Sequence, residues 1–81
     1  MNKASQRKGS RTYSIYSKKS GEEEKVEIPN TTYRAAQLFI DTWARTMKEA
    51  GSSIVNRRHN YFKATNPSYT MEMWFNENKN K

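Results

Sequence analysis

The sequence predicts a small α+β domain of order ββαββ, in which an antiparallel sheet of two hairpins packs on one amphipathic helix. Apolar and polar residues alternate near both ends of the chain, which is typical of strands. Between them, apolar residues recur at spacings of three and four, which is typical of a helix. A chain of 81 residues has room for one small core. We expect a flexible basic arm at 1–10, the domain at 11–77 and a disordered tail at 78–81.

The first hairpin is predicted from two short runs of strand-forming residues. Residues 12–16 alternate in period two, and Val26 and Ile28 resume the alternation after a polar turn around Gly21. Two such runs around a glycine-containing turn are typical of a β-hairpin. Pro29 has no amide hydrogen to donate, so we expect it to end the second strand.

The helix is predicted over 31–50. Asn30 or Thr31 can accept from the free amides of its first turn, and Gly51 suits the left-handed position that follows a helix. An apolar stripe of this kind normally faces the protein interior, so Trp43 is expected to be buried. The stripe consists of Tyr33, Ala36, Ile40, Trp43, Met47 and Ala50.

The second hairpin is predicted from a third strand at 53–65 and a fourth at 69–76, joined around Pro67. A four-residue loop at 66–69 suits this proline, because proline cannot adopt the positive φ of the tightest hairpin turns. A loop of even length places four apolar side chains on the face that meets the helix: Phe62, Ala64, Met71 and Met73. The opposite face then carries Arg57, His59, Tyr61, Lys63, Thr70, Glu72 and Trp74. A loop of odd length would turn Arg58, Asn60 and Phe62 outward instead.

The charge is unevenly distributed along the chain. Fifteen Lys and Arg against eight Asp and Glu give a net charge of +7. Residues 1–20 contain six of these bases and no acid, residues 21–53 are mildly acidic, and a second basic cluster spans 56–63. Segregated positive charge indicates a polyanionic partner.

These features predict a nucleic-acid-binding module. Unpaired bases stack on exposed aromatic rings, and neighbouring cations contact the phosphates. Arg57 and Arg58 at the start of a two-stranded ribbon are alternatively suited to a DNA major groove. The candidate binding residues are Lys3, Arg7, Lys8, Arg11, Arg57, Arg58, His59, Tyr61, Lys63 and Trp74.

A protein partner is the second interpretation. The domain can offer a strand edge for pairing, or Tyr61 and Trp74 as aromatic anchors. In size and in lacking a familiar motif, the chain is similar to phage and mobile-element accessory proteins, including anti-CRISPR inhibitors. That similarity implies an inhibitor or adaptor that docks on a host protein or nucleoprotein complex. A third interpretation makes the rings a small second apolar cluster and the cations solvent-exposed decoration.

Catalysis is not expected. The chain has no cysteine and one histidine, which excludes a disulfide scaffold, a thiolate zinc site and a cysteine nucleophile. Its three glycines are too far apart for a phosphate-binding loop. We therefore expect no enzyme activity, cofactor or metal. No apolar run is long enough to span a bilayer, and the first twenty residues lack the apolar segment of a signal peptide, so a cytoplasmic location is expected.

Overall fold

The structure is a computed structural model that describes residues 11–78. It confirms the α+β class, with one antiparallel sheet of five strands and one helix. The arm at 1–10, with Lys3, Arg7 and Lys8, lies outside the described residues, as do tail residues 79–81. The elements are β1 (Tyr13–Lys19), β2 (Lys25–Thr31), α1 (Tyr33–Glu49), β3 (Ser53–Arg58), β4 (Tyr61–Thr65) and β5 (Thr70–Glu77).

The strand order across the sheet is β2-β1-β5-β4-β3. The first and last strands of the chain therefore lie side by side in the middle, where they join the two hairpins. Their register runs from Tyr13 opposite Glu77 to Lys19 opposite Met71. Beyond the strands, the Asn78 amide donates to the Thr12 carbonyl at 2.8 Å. The two ends of the described chain consequently leave the domain at the same place.

The predicted third strand is two strands. A two-residue turn, His59 and Asn60, separates β3 from β4, and Arg58 pairs with Tyr61 across it. Asn60 fixes this turn to β5, because its side-chain amide donates to the Phe75 carbonyl at 2.9 Å and its own carbonyl accepts from the Phe75 amide at 3.1 Å. No non-glycine residue among those described has positive φ, so the turn needs no glycine.

The predicted end of the second strand at Pro29 is wrong, because β2 continues to Thr31. β2 is an edge strand, and a proline at an edge removes no hydrogen bond from the interior of a sheet. Register shifts relative to β1 accompany this stretch, and the Ser14 hydroxyl donates to the Pro29 carbonyl.

The cap of α1 also differs from the prediction. Thr32, rather than Asn30 or Thr31, is the N-cap, and its hydroxyl oxygen accepts from the Ala35 amide at 3.1 Å. Because β2 continues past Pro29, the two predicted caps, Asn30 and Thr31, are strand residues, and the helix begins after them.

The helix covers one face of the sheet through a narrower apolar line than predicted. Its buried residues are Ala36, Ile40, Ala44 and Met47. Trp43 is 37% exposed and Tyr33 is 46% exposed, so their predicted burial is only partial. The helix packs on β1, β3, β4 and β5. Trp43 projects from its flank, on the side of the β1–β2 loop and β2.

The predicted packing face of the second hairpin is confirmed. Phe62 lies opposite Met73, and Ala64 opposite Met71, on the side of the helix. The connecting loop has the expected four residues, 66–69, and is closed by a hydrogen bond from the Asn66 amide to the Tyr69 carbonyl at 2.9 Å. The sheet contributes five buried apolar side chains to the core: Ile15, Phe62, Ala64, Met73 and Phe75.

Burial separates the expected costs of two aromatic truncations. Phe62→Ala removes a ring with 0% exposure and should lower the free energy of unfolding by about 3–5 kcal/mol. Trp43→Ala removes a partly exposed ring and should lower it by about 1–2 kcal/mol. Urea denaturation followed by circular dichroism measures both. Equal losses for the two variants would contradict the observed packing.

Candidate nucleic-acid interface

The face of the sheet opposite α1, termed here the outer face, carries a line of aromatic side chains across the strands. Cross-strand pairing places Tyr16 beside Trp74 and Trp74 beside Tyr61. These three residues form the aromatic row. Arg58 on β3 continues the row beyond Tyr61, and Val26 on β2 continues it beyond Tyr16. α1 packs against the other face, so the aromatic row is outside the core.

The rings of the row have a defined arrangement. The Tyr16 and Trp74 rings are nearly parallel, with centroids 5.8 Å apart and planes inclined by 17°. Tyr61 leans along its strand, because its hydroxyl donates to Glu72 Oε2 at 2.7 Å. One side of the Trp74 ring is therefore covered by Tyr16. Among the described residues, no ring contact links its other side to Tyr61.

The hydrogen bond to Glu72 also affects the ionisation of Tyr61. Partial burial, the hydrogen bond and the negative charge of Glu72 together raise the pKa of Tyr61 from 10.0 to about 12, against a smaller lowering effect of Arg58. Tyr61 is accordingly a neutral phenol throughout the physiological pH range. Its hydroxyl is committed to Glu72, which leaves the ring as the part available to a ligand.

A second line of side chains, termed here the charged row, lies beside the aromatic row. It consists of Lys18 on β1, Glu72 on β5 and Lys63 on β4, which are aligned by the same cross-strand pairing. The Glu72 carboxylate accepts the hydrogen bond from the Tyr61 hydroxyl. The Lys18 ammonium donates to the Glu22 backbone carbonyl at 3.0 Å. With Arg58, the two rows present three cations and one carboxylate, so positive charge is in excess there.

Three of the predicted site residues, Tyr61, Lys63 and Trp74, lie on the outer face as expected. Arg58, which the main prediction left off this face, also lies there, beside Tyr61. Trp74 is half-buried between its neighbours. The predicted outward position requires that Trp74 is not fully buried, and this requirement is met.

The predicted outward position of Arg57 is wrong. Arg57 lies opposite the core residue Phe62, and its guanidinium bonds to Asp41 on α1 and to backbone carbonyls of the β3–β4 hairpin. The cause is the two-residue turn, which pairs Arg58 with Tyr61 and so exchanges the faces of the two arginines.

His59 is likewise not on the outer face. Its ring centroid lies 6.4 Å from that of Phe75, a core residue, and its carbonyl accepts from Gln37 on α1 at 2.7 Å. Arg11 lies two residues before β1, and its guanidinium pairs with the Glu77 carboxylate at 3.5 Å.

Sequence reasoning missed Tyr16 and Lys18. Both lie on the polar side of the period-two pattern of β1, which indicated an outward position. Only the pairing of β1 with β5 places them beside Trp74 and Glu72. That pairing joins residues more than fifty positions apart, and no local signal announces it.

The helix side holds a cavity of about 320 Å³ between the β1–β2 loop and α1. Its rim carries both signs of charge, from Lys19 and Lys25 and from Glu22, Glu23 and Glu27. Within residues 11–78, no group of three His, Cys, Asp or Glu is arranged to hold a metal ion. No helix in the described part of the chain has the length and apolarity needed to cross a membrane.

Comparison with known proteins found no matching family model, no matching curated protein and no matching solved structure.

The Tyr61–Glu72 bond predicts a specific pH response. Glu72→Gln removes the negative charge and leaves a neutral, weaker acceptor for the Tyr61 hydroxyl, so the pKa of Tyr61 should fall from about 12 toward 10.0 while partial burial keeps it above 10.0. A phenol whose pKa is raised by folding stabilises the fold below its unfolded pKa, and this contribution is lost as the pH rises from 10.0 through about 12. Carbon-13 NMR of ring-labelled tyrosine measures the pKa, and Tyr61→Phe assigns the resonance. An unchanged pKa in Glu72→Gln would disprove the interaction.

Proposed function

We propose that this chain binds nucleic acid through the outer face of its sheet. The observation that carries the proposal is the aromatic row on the face opposite the helix, with Arg58 at its end and Lys18 and Lys63 beside it. Aromatic rings provide stacking surfaces for bases, and adjacent cations provide contacts for phosphates.

Existing contacts hold the binding side chains in place. Tyr16 supports one side of Trp74, and Glu72 fixes the hydroxyl of Tyr61. Side chains that are already ordered lose little conformational entropy when a ligand binds. The same contacts do not involve the core, since the buried residues lie on the other side of the sheet.

The charge distribution supports two separate contributions to binding. Residues 11–78 contain ten of the fifteen bases and all eight acids, so their net charge is only +2. The other five bases are Lys3, Arg7, Lys8, Lys79 and Lys81, in segments attached where Thr12 and Asn78 meet. Long-range attraction to a polyanion therefore comes mainly from the terminal segments, and stacking comes from the sheet.

A second candidate function is supported by the flank of α1. Leu38 is 64% exposed, and with Trp43 it borders a shallow apolar hollow of about 320 Å³ whose other walls are Ala35, Phe39 and Thr42. Exposed apolar patches often mark protein contacts. This favours an inhibitor or adaptor, of the phage accessory or anti-CRISPR kind, that docks on a host protein or nucleoprotein complex through the helix side.

The proposal includes a cytoplasmic location, where nucleic acid is accessible, and binding without catalysis. The two candidate functions use opposite faces of the domain, so substitutions on each face distinguish them.

Trp74→Ala should weaken oligonucleotide binding by about 1–3 kcal/mol, because it removes the central stacking ring. Its effect on stability should be small, since the ring is outside the core. Trp43→Ala is the matched control, as it removes the other tryptophan from the helix side and should leave affinity unchanged. Fluorescence anisotropy with labelled oligonucleotides measures affinity. If Trp43→Ala weakens binding and Trp74→Ala does not, the outer face is not the site.

Replacing Arg58 and Lys63 together by alanine should reduce the salt dependence of binding. Each lost contact to a single-stranded phosphate lowers the slope of log K against log salt by about 0.7, so two contacts lower it by about 1.4. The matched control replaces Arg45 and Lys48, two exposed cations of α1, and keeps the same net charge. Equal slopes for the two double variants would show that only net charge matters.

A further inference from the structure

We infer that the ligand of the outer face is single-stranded nucleic acid, which crosses the strands along the aromatic row beside Lys18 and Lys63. This inference rests on the proposed function and specifies its ligand class. Three observations carry it: the side of Trp74 that no other described ring contacts, the fixed position of the β3–β4 hairpin and the placement of the described cations.

The aromatic row is suited to unpaired bases. In a duplex, bases are stacked on one another and present only their edges in the grooves. Stacking of a protein ring on the face of a base therefore requires a base that is separated from its neighbours, as bases in a single strand readily are. Tyr16 covers one side of the Trp74 ring. Tyr61 leans toward Glu72, so no ring contact joins Tyr61 to the other side of Trp74. A base placed between Trp74 and Tyr61 would stack on that other side of Trp74, whose ring is already held in place by Tyr16.

The hairpin that would have to enter a duplex groove is held against the domain. A major-groove ribbon needs cationic side chains that project freely from it. Arg57 is bonded to Asp41, and the His59 carbonyl accepts from Gln37, so both residues are attached to α1. Asn60 is fixed to Phe75 in the neighbouring strand. The remaining cations of the hairpin, Arg58 and Lys63, lie on the outer face, at the end of the aromatic row and beside it.

Two lysines border the aromatic row on one side, and Arg58 lies at its end. Lys18 and Lys63 are two residues along their strands from Tyr16 and Tyr61, which corresponds to about 7 Å. In the opposite direction, two residues beyond Tyr16 lies Ser14, whose hydroxyl bonds to Asn78 at 2.7 Å. We therefore expect the phosphates of the strand on the lysine side of the row.

The length of the row also suits a short single strand. From β1 to β3 it crosses three strand spacings, or about 14 Å. Sheets that bind unpaired RNA stack two or three bases over a comparable surface. The phosphates beside those bases would lie near the charged row. Stacking alone does not distinguish DNA from RNA, so the inference covers both.

The two tryptophans allow a direct test, because they lie on opposite sides of the sheet. Trp43→Phe leaves Trp74 as the sole emitter, and Trp74→Phe leaves Trp43. Each variant is titrated with a 20-nucleotide strand (as DNA and as RNA), alone and annealed to its complement, at equal salt. We expect the single strand to quench Trp74 emission, to leave Trp43 emission unchanged and to bind about tenfold or more tightly than the duplex. Tenfold corresponds to one stacked base.

The outcomes separate the inference from the proposed function. Duplex binding as tight as single-strand binding, or binding that leaves Trp74 emission unchanged, overturns the inference but keeps a nucleic-acid-binding chain. Failure of every strand to bind at low salt overturns both. If Trp43→Phe does not fold, fluorine NMR of the unsubstituted chain labelled with 5-fluorotryptophan gives the same readout, since the Trp74 resonance should shift and the Trp43 resonance should not.

Discussion

The pairing of β1 with β5 is the constraint on which the rest of the structure depends. It joins seven residue pairs from opposite ends of the chain and unites two hairpins into one sheet. The pairing is extended by Ser20, whose side chain and amide both bond to Thr70, at 3.0 and 2.8 Å. On one side it brings Ile15 beside Phe75 in the core, and on the other it brings Tyr16 beside Trp74. Core and candidate site are therefore set by one register.

The sequence pattern correctly predicted the features that depend only on residues nearby in the chain. The period-two alternation of β5 identified its buried face, and Pro67 indicated the four-residue loop. The split of the third strand was missed because residues 56–60 are all polar and contain neither glycine nor proline to mark a turn. What stabilises that turn is the bond between Asn60 and Phe75, a contact visible only after folding. Pro29 was misjudged for a similar reason, since its tolerance depends on β2 being an edge strand.

The candidate site was predicted in part. Trp74, Tyr61 and Lys63 follow from the alternation within the second hairpin, which the structure preserves. Arg57 and Arg58 exchanged faces, because the missed two-residue turn reverses the orientation of the strand residues before it, as far as the register shift between Ile54 and Asn56. A pattern can therefore indicate that a basic aromatic surface exists before it can say which of two neighbouring arginines belongs to it.

The two faces of the sheet separate the core from the proposed binding surface. All nine apolar residues that are buried within residues 11–78 belong to the core on the helix side, including Ile40 and Phe62. The aromatic row adds nothing to that core, yet its rings are ordered by Tyr16 and by the bond from Tyr61 to Glu72. Partly exposed rings on an open sheet face favour self-association, and the lysines beside them oppose it by charge repulsion between copies. The proposed nucleic-acid ligand would neutralise this charge repulsion with its phosphates and would cover the rings with its bases, so it would satisfy both features of the outer face.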